Sequence, residues 1–323
     1  MQDPHEEQSS DDEYRALVQR LAFAAVNEQR RARRWRIFFL LLTFLYLTPL
    51  LFLVLSSESF DQFRPAETTS DKHTALLRVS GVIADGAEAS AEHIISGLQD
   101  AFEDEDTAGV ILEINSPGGS PVQSAYIYDE ILRLRAEHQD TPLYAVVTDI
   151  AASGAYYIAA AADRIYVNRS SLVGSIGVRL DSFGLVDLID KIGVERRLMT
   201  AGEHKALLDP FLPENLEEKQ HLQVMLEEVH QHFIDSVKQG RGDRLQDDEN
   251  LFSGLVWSGE RAIEIGLVDE IGSREQVARD VIGEEELVDF TPRELLLDRL
   301  ASRVGASAGQ FLEQRLLGQF QLQ

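Results

Sequence analysis

The sequence predicts an α/β domain built on a mainly parallel sheet, set behind a single N-terminal membrane-spanning helix. Three observations carry this. From Lys72 onward, short Val- and Ile-rich runs alternate with stretches of helical spacing, the pattern of βαβ units. Ile37 to Leu55 reads IFFLLLTFLYLTPLLFLVL, nineteen residues without a charge. The charge is split around that run. Residues 1–36 hold seven arginines and seven acids, whereas the 23 basic and 48 acidic residues that follow Leu55 carry the whole net charge of −25.

Residues 1–36 form a leader. Its first thirteen residues, six of them acidic, read as disordered, and Arg15 to Arg36 reads either as a basic amphipathic helix or as a solvated charged segment. Residues 37–55 form the anchor, since nineteen residues at 1.5 Å rise reach roughly 28 Å, close to a bilayer's hydrocarbon thickness. A buried core helix would show a polar stripe, and this run has none. A cleaved signal peptide would have a shorter start and a small-residue cleavage site, whereas the exit here is SSESFDQF. A single membrane helix tolerates the kink at Pro49. Arg30, Arg31, Arg33, Arg34 and Arg36 precede the run, while Glu58 and Asp61 follow it. The positive-inside rule then keeps the N-terminus cytoplasmic and exports the remainder, to the periplasmic side of the inner membrane in a bacterium.

Residues 56–72 are a linker and 73–323 the exported domain. Ala75–Ile83, Ala108–Asn115, Pro142–Ile150 and Arg164–Asn168 read as strands. Ala89–Glu103 and Val122–Glu137 read as the helices between them, and a long amphipathic helix runs from about Glu214 to Lys238, stopping at Gly240. The tail from Ser302 to Gln323 is helical in pattern, with Phe311, Leu312, Leu316, Leu317 and Phe320 as an apolar stripe suited to packing on its own chain or a sister subunit.

Composition excludes several functions. With no cysteine, disulfides, thiolate zinc sites, iron–sulfur clusters and cysteine nucleophiles are ruled out. An acidic excess of this size argues against nucleic acid as a partner, because neutralising phosphates needs a surplus of Lys and Arg on one face.

Three segments carry chemistry. In Asn115-Ser116-Pro117-Gly118-Gly119-Ser120-Pro121, at a strand end, the glycine pair can turn backbone N–H groups outward as an oxyanion receptor requires. It lacks the lysine of a phosphate-binding loop, and taken alone it also fits a plain turn. In Asp149-Ile150-Ala151-Ala152-Ser153-Gly154-Ala155-Tyr156-Tyr157, a strand runs into a serine with small neighbours and then into a helix. That is the logic of a nucleophile elbow, although a serine there also suits a simple N-cap. Ser170 to Val178 (SSLVGSIGV) supplies small hydroxyls that can orient a base, or forms a Gly-rich turn.

A serine hydroxyl needs a base. None of the eight histidines lies between Tyr144 and Glu203, and His221, His230 and His232 on the long helix read as solvated surface. Among the few lysines, Lys205 stands out in TAGEHKALLDPF (Thr200–Phe211), a glycine-containing segment followed by apolar residues able to desolvate an amine. Burial disfavours an amine's charged form and leaves it able to accept a proton.

NSPGGSP, AASGAYYIA, GSIGV, AGEHK and WSGERAIEIGLVDEIG (Trp257–Gly272) occur in this order. Over roughly Thr74 to Gly272 the chain resembles the signal peptide peptidase A family, membrane-anchored Ser–Lys peptidases of the ClpP/crotonase fold. The resemblance implies a stack of ββα units, with Ser153 as nucleophile, Lys205 as general base and Ser175 holding the lysine. Gly118, Gly119 and Gly154 then correspond to the oxyanion hole. It further implies a ring- or dome-like homo-oligomer, in several members with the lysine serving a neighbouring subunit's serine. No cofactor or metal is required, and the single copy of each motif matches the family's short form. Hydrophobic peptides such as remnant signal peptides are the expected substrates. Cleavage of a particular membrane partner, an acyl-thioester enzyme of the same fold and an inactive scaffold remain as alternatives.

Overall fold

The computed structural model describes residues 31, 33–48 and 72–292. The chain divides into two units, 1–69 and 70–323, and each is described by itself.

In the first unit, residues 33–48 are helical and every side chain is exposed. Trp35 meets Phe38 edge-on at 5.7 Å and Phe39 in a stacked arrangement at 5.8 Å. Thr43 and Thr48 donate their hydroxyls to the carbonyls of Phe39 and Phe44, at 2.8 and 2.6 Å. Both threonine hydroxyls are thus satisfied within the helix itself. Among the described residues no helix is long and apolar enough to cross a membrane. Residues 49–55 of the expected anchor lie outside the described residues. So do most of the leader and linker and the expected tail helix at Ser302–Gln323.

In the second unit, β1 (His73–Ser80), β2 (Thr107–Ser116), β3 (Leu143–Ala152) and β4 (Arg164–Val167) run parallel in chain order. They are short, Val/Ile-rich and buried on both faces, which explains their nearly continuous apolar sequence. The crossovers are α1 (Ala91–Glu103) and α2 (Pro121–Glu137), N-capped by the hydroxyls of Ser90 and Ser120, with Pro121 at the first turn. Both pack on one sheet face with α3 (Gly154–Ala159), around a core that includes Leu77, Val79, Leu112, Ile114, Ile127 and Ile131. The opposite face carries a smaller cluster of Leu76, Ile111, Val146, Tyr166, Val277 and Ala278.

The sheet forks at β3. Its first half pairs β4, while Ile150–Ala152 pairs β5 (Leu172–Gly174). Beyond β5 lies β6 (Val256–Ser258), which is antiparallel to it, and beyond β4 lies β7 (Glu270–Ile271). β8 (Leu287–Asp289) closes the far edge against β1. These last four strands have no counterpart in the sequence pattern. At two or three residues each, their pairing is set by the sheet they join and not by their own periodicity.

Between β5 and β6 an outer segment holds α4 (Val186–Lys191) and the long helix α5 (Leu216–Arg241). Gly240, expected to stop α5, lies inside it. A Cβ there would stand 2.0 Å from the Ala160 carbonyl oxygen, so the glycine permits helix contact, and the helix instead ends at Gly242, whose φ is +53°. The C-terminal end of α5 is fixed by Arg241, which is 1% exposed. Its guanidinium donates to both Asp269 oxygens at 2.7 and 3.0 Å and to the Gly266 carbonyl at 3.0 Å.

Candidate active site

The parallel topology brings the C-terminal ends of β2 and β3 side by side, the usual place for a site in such sheets. Ser153 follows β3 directly, with φ +55° and ψ −126°. A non-glycine residue in this region is strained and persists only where its surroundings enforce it. Here the Ser153 N–H donates to the Gly174 carbonyl at 2.8 Å, while its own carbonyl accepts from Tyr157 at 3.0 Å. Its side chain makes no capping bond to the helix it precedes. The hydroxyl is therefore not spent as an N-cap, and it opens into a cleft.

The Gly118-Gly119 turn abuts this elbow. A Cβ on Gly118 (φ +93°) would meet the Ala152 carbonyl oxygen at 2.5 Å, the Gly154 nitrogen at 2.7 Å and the Ser153 Cβ at 2.8 Å. A Cβ on Gly154 would meet the Ser124 hydroxyl at 2.4 Å and the Gly119 nitrogen at 3.3 Å. The two turns thus interlock through positions that admit no side chain, and a side chain at residue 118 would cover the Gly154 N–H.

The backbone bonds sort the expected oxyanion donors. The Gly118 N–H is taken up by the Ser116 hydroxyl at 3.1 Å. Ile83 brackets the next residue, with its N–H on the Gly118 carbonyl at 3.0 Å and its carbonyl accepting from Ser120 at 2.8 Å. The Gly119 and Gly154 N–H groups have no acceptor among the described residues. They are the pair free to hold developing negative charge.

The cleft has a volume of about 870 Å³ and is lined by Ser153, both turns, Ser175 and Gly177–Arg179, with Ser253 and Gly254. Ser175, also at positive φ (+53°), is tied through its N–H to the Leu255 carbonyl at 2.7 Å. The lining includes Arg179 and His232 but no carboxylate, so nothing there opposes an oxyanion despite the chain's acidity. Lys205 lies elsewhere. It sits exposed on the turn that leads toward α5 and is not among the residues lining this cleft. Its neighbour His204 donates its Nδ1–H to Glu218 at 3.1 Å, and that carboxylate raises the imidazole pKa above its ordinary value.

The far wall comes from α5, the expected amphipathic helix; of its three histidines expected at the surface, His221 and His232 are exposed and His230 is half-buried. Val229, His232 and Phe233 line the cleft, and His230 contacts the Ile176 carbonyl at 3.0 Å. The available signal was the apolar spacing Val229, Phe233, Val237, one buried face of a helix. Phe233 stacks on Tyr157 at 4.8 Å, and Tyr157 meets Tyr128 edge-on at 5.3 Å. Burial raises the Tyr157 phenol and lifts that of Tyr128 to about 12, so both stay protonated. Tyr128 donates to the Ser236 carbonyl at 2.8 Å. The Ser236 hydroxyl already donates to His232, so Tyr157 donates to it, at 2.7 Å. These bonds fix an apolar floor beside the nucleophile elbow. Among the described residues no group of His, Asp or Glu side chains is placed to hold a metal.

A family model for peptidase family S49 matches residues 135–287, and one for Clp protease matches residues 66–175. The mixed α/β sheet fits that ClpP-like fold. The chain is 42% identical over 254 residues to a protein named Na(+)/H(+) antiporter NhaA in Brucella melitensis, covering 77% of this chain and 34% of that one. It thus spans about a third of the length of that relative. A stretch of this length must include most of residues 135–287, the part matched as peptidase, so the shared region is the peptidase-like one. A putative protease of Synechocystis is 31% identical over 65% of this chain and 74% of its own. A putative signal peptide peptidase SppA of Enterococcus faecium is 32% identical over 70% of this chain and 67% of its own. On this agreement of relatives and family model, the chain belongs to the signal peptide peptidase A family within peptidase family S49.

Proposed function

We propose that the chain is a membrane-anchored serine peptidase whose nucleophile is Ser153 and whose general base is Lys205. The observation that carries this is the strained, uncapped Ser153 facing two unoccupied amides, Gly119 and Gly154. The serine oxygen attacks a peptide carbonyl as its proton passes to the lysine amine, and the two N–H groups hold the tetrahedral oxyanion. One such donor is worth about 3–4 kcal/mol. The ammonium then protonates the leaving amine as the C–N bond breaks. Water then adds to the acyl carbon as the lysine amine takes its proton, and the ammonium returns that proton to the serine oxygen as the ester C–O bond breaks, which frees the acid and restores the hydroxyl.

The exposure of Lys205 favours a base shared between copies. The segment carrying it presents Phe183, Ile192 and Met199 at 79%, 64% and 98% exposure, an apolar surface suited to a sister subunit in a ring or dome. Docked there, an amine enclosed by apolar surface favours its neutral form, and Ser175 of the receiving cleft is available to orient it. The apolar floor of the cleft, with Phe233 stacked on Tyr157, suits hydrophobic peptides, remnant signal peptides among them. Residues 37–55 supply the anchor, with the leader cytoplasmic and the peptidase domain outside the inner membrane.

A fluorophosphonate probe applied to the full chain tests the reading. Ser153 is expected to take the label, and both labelling and peptide cleavage are expected to vanish in Ser153→Ala and Lys205→Ala. His232→Ala, which removes the imidazole lining the cleft, is expected to retain cleavage. Loss in His232→Ala with retention in Lys205→Ala would replace the lysine by the histidine. Acyl-CoA turnover surviving Ser153→Ala would favour the acyl-thioester alternative, and an assembled chain with neither activity would be a scaffold.

A further inference from the structure

Of the three amides in the Gly118–Ser120 turn only that of Gly119 is open: the Ile83 carbonyl takes the Ser120 N–H, and a buried side chain takes that of Gly118. Ser116, the last residue of β2, is fully buried (0% exposed). Its hydroxyl accepts the Gly118 N–H at 3.1 Å. Gly118 is the residue with no room for a side chain against Ser153 and Gly154. Rotation of the Pro117–Gly118 peptide plane changes φ at Gly118, which moves the turn against the nucleophile on one side and shifts the following peptide, which carries the Gly119 N–H, on the other. Ile83 restrains the Gly118 carbonyl and the Ser120 N–H, but neither of those bonds restrains the Gly118 N–H.

We infer that Ser116 is a positioning residue for the oxyanion hole. By occupying the Gly118 N–H it fixes the Pro117–Gly118 peptide plane and with it φ at Gly118, so that, with Ile83 on the Gly118 carbonyl, both planes flanking Gly118 are held and the Gly119 N–H keeps its aim, and it does so without touching substrate. The inference rests on the peptidase reading above. It adds to that reading a residue that acts on the transition state and not on substrate affinity. An interaction realised only as charge develops on the carbonyl oxygen changes kcat and leaves ground-state binding alone.

The test uses the full-length chain in detergent, a hydrophobic peptide substrate and the same fluorophosphonate. In Ser116→Ala, kcat and the labelling rate are expected to fall about ten- to a hundredfold, the range for a misaimed catalytic group, with KM within about twofold. Ser116→Thr and Ser116→Val are nearly isosteric and differ in the hydroxyl, so both carry the same added methyl into the buried site. Thr is expected to exceed Val in kcat by about tenfold or more at similar thermal midpoints. Should Ser116→Ala fail to fold, the Thr/Val ratio decides alone. Unchanged kcat in Ser116→Ala, or equal kcat in Thr and Val, would overturn the inference while wild-type cleavage left the peptidase reading standing. A wild-type chain that neither cleaves nor takes the label would overturn that reading and this inference with it.

Discussion

At the scale of single residues, the site depends on atoms that are absent. Three glycines, 118, 119 and 154, stand where two turns interlock, and their missing side chains leave two amides open. Gly154 gives the sharpest prediction. An alanine there would press its methyl to 2.4 Å from the Ser124 hydroxyl and 3.3 Å from the Gly119 nitrogen. Ser124 is fully buried and its hydroxyl is already bonded to the Ser120 carbonyl at 2.9 Å, so it cannot swing away freely. Gly154→Ala is expected to lower kcat/KM by about a hundredfold, comparable to losing one oxyanion donor. Adding Ser124→Ala, which removes the clashing oxygen, is expected to recover part of that loss in the same peptide assay. A double variant no better than the single one would mean that the clash is not what limits it.

At the scale of elements, α5 is held at both ends by charge. Near its C-terminus, Arg241 lies at 0% side-chain exposure against Asp269 at 14%. Burial pushes the Asp269 carboxyl up, but the hydrogen bonds and charge of Arg241, the Ile165 N–H and Arg244 outweigh it and leave the pKa below its usual value. A depressed carboxylate contributes stability above its unfolded pKa and loses it as pH falls through the folded one, so this anchor weakens only in acid. Asp269→Ala leaves a buried guanidinium uncompensated and is expected to cost about 3–5 kcal/mol in chemical denaturation. Because α5 carries Phe233 and His232 into the cleft, partial activity loss should accompany it. Near the N-terminus, Glu218 raises the pKa of His204. A raised histidine contributes below its unfolded pKa, and that contribution is lost as pH climbs through the folded value. The His204 titration followed by NMR is expected to sit above that of an exposed histidine and to drop in Glu218→Gln.

At the scale of the whole molecule, assembly and anchoring are the open arrangements, and each has a direct measurement. A truncation lacking residues 1–56 is expected to be soluble and to retain the assembly in analytical ultracentrifugation. A Phe183→Asp substitution on the exposed apolar segment is expected to dissociate it and to abolish cleavage, as a base shared between copies requires. Cleavage retained by a dissociated chain would return Lys205 to its own cleft.

The sequence by itself determined the first four strands and the two crossover helices. A strand buried on both faces is written as a nearly continuous apolar run, and β1 to β4 approach this, with Arg78, Glu113 and Asp149 as interruptions. It also offered the elbow and the glycine turn, each beside a plainer reading as an N-cap or a simple turn; the positive φ of Ser153 and Gly118 and the close approach at Gly154 show only in the folded backbone. Only the tertiary structure decided the rest. Strands of two or three residues, β5 to β8, take their pairing from the sheet they join. Ser116 and Gly118 carry no local sign that one consumes the other's amide. The spacing of Val229, Phe233 and Val237 marks a buried face of α5 but not what it meets, and only the fold lays that face and the exposed His232 along the cleft.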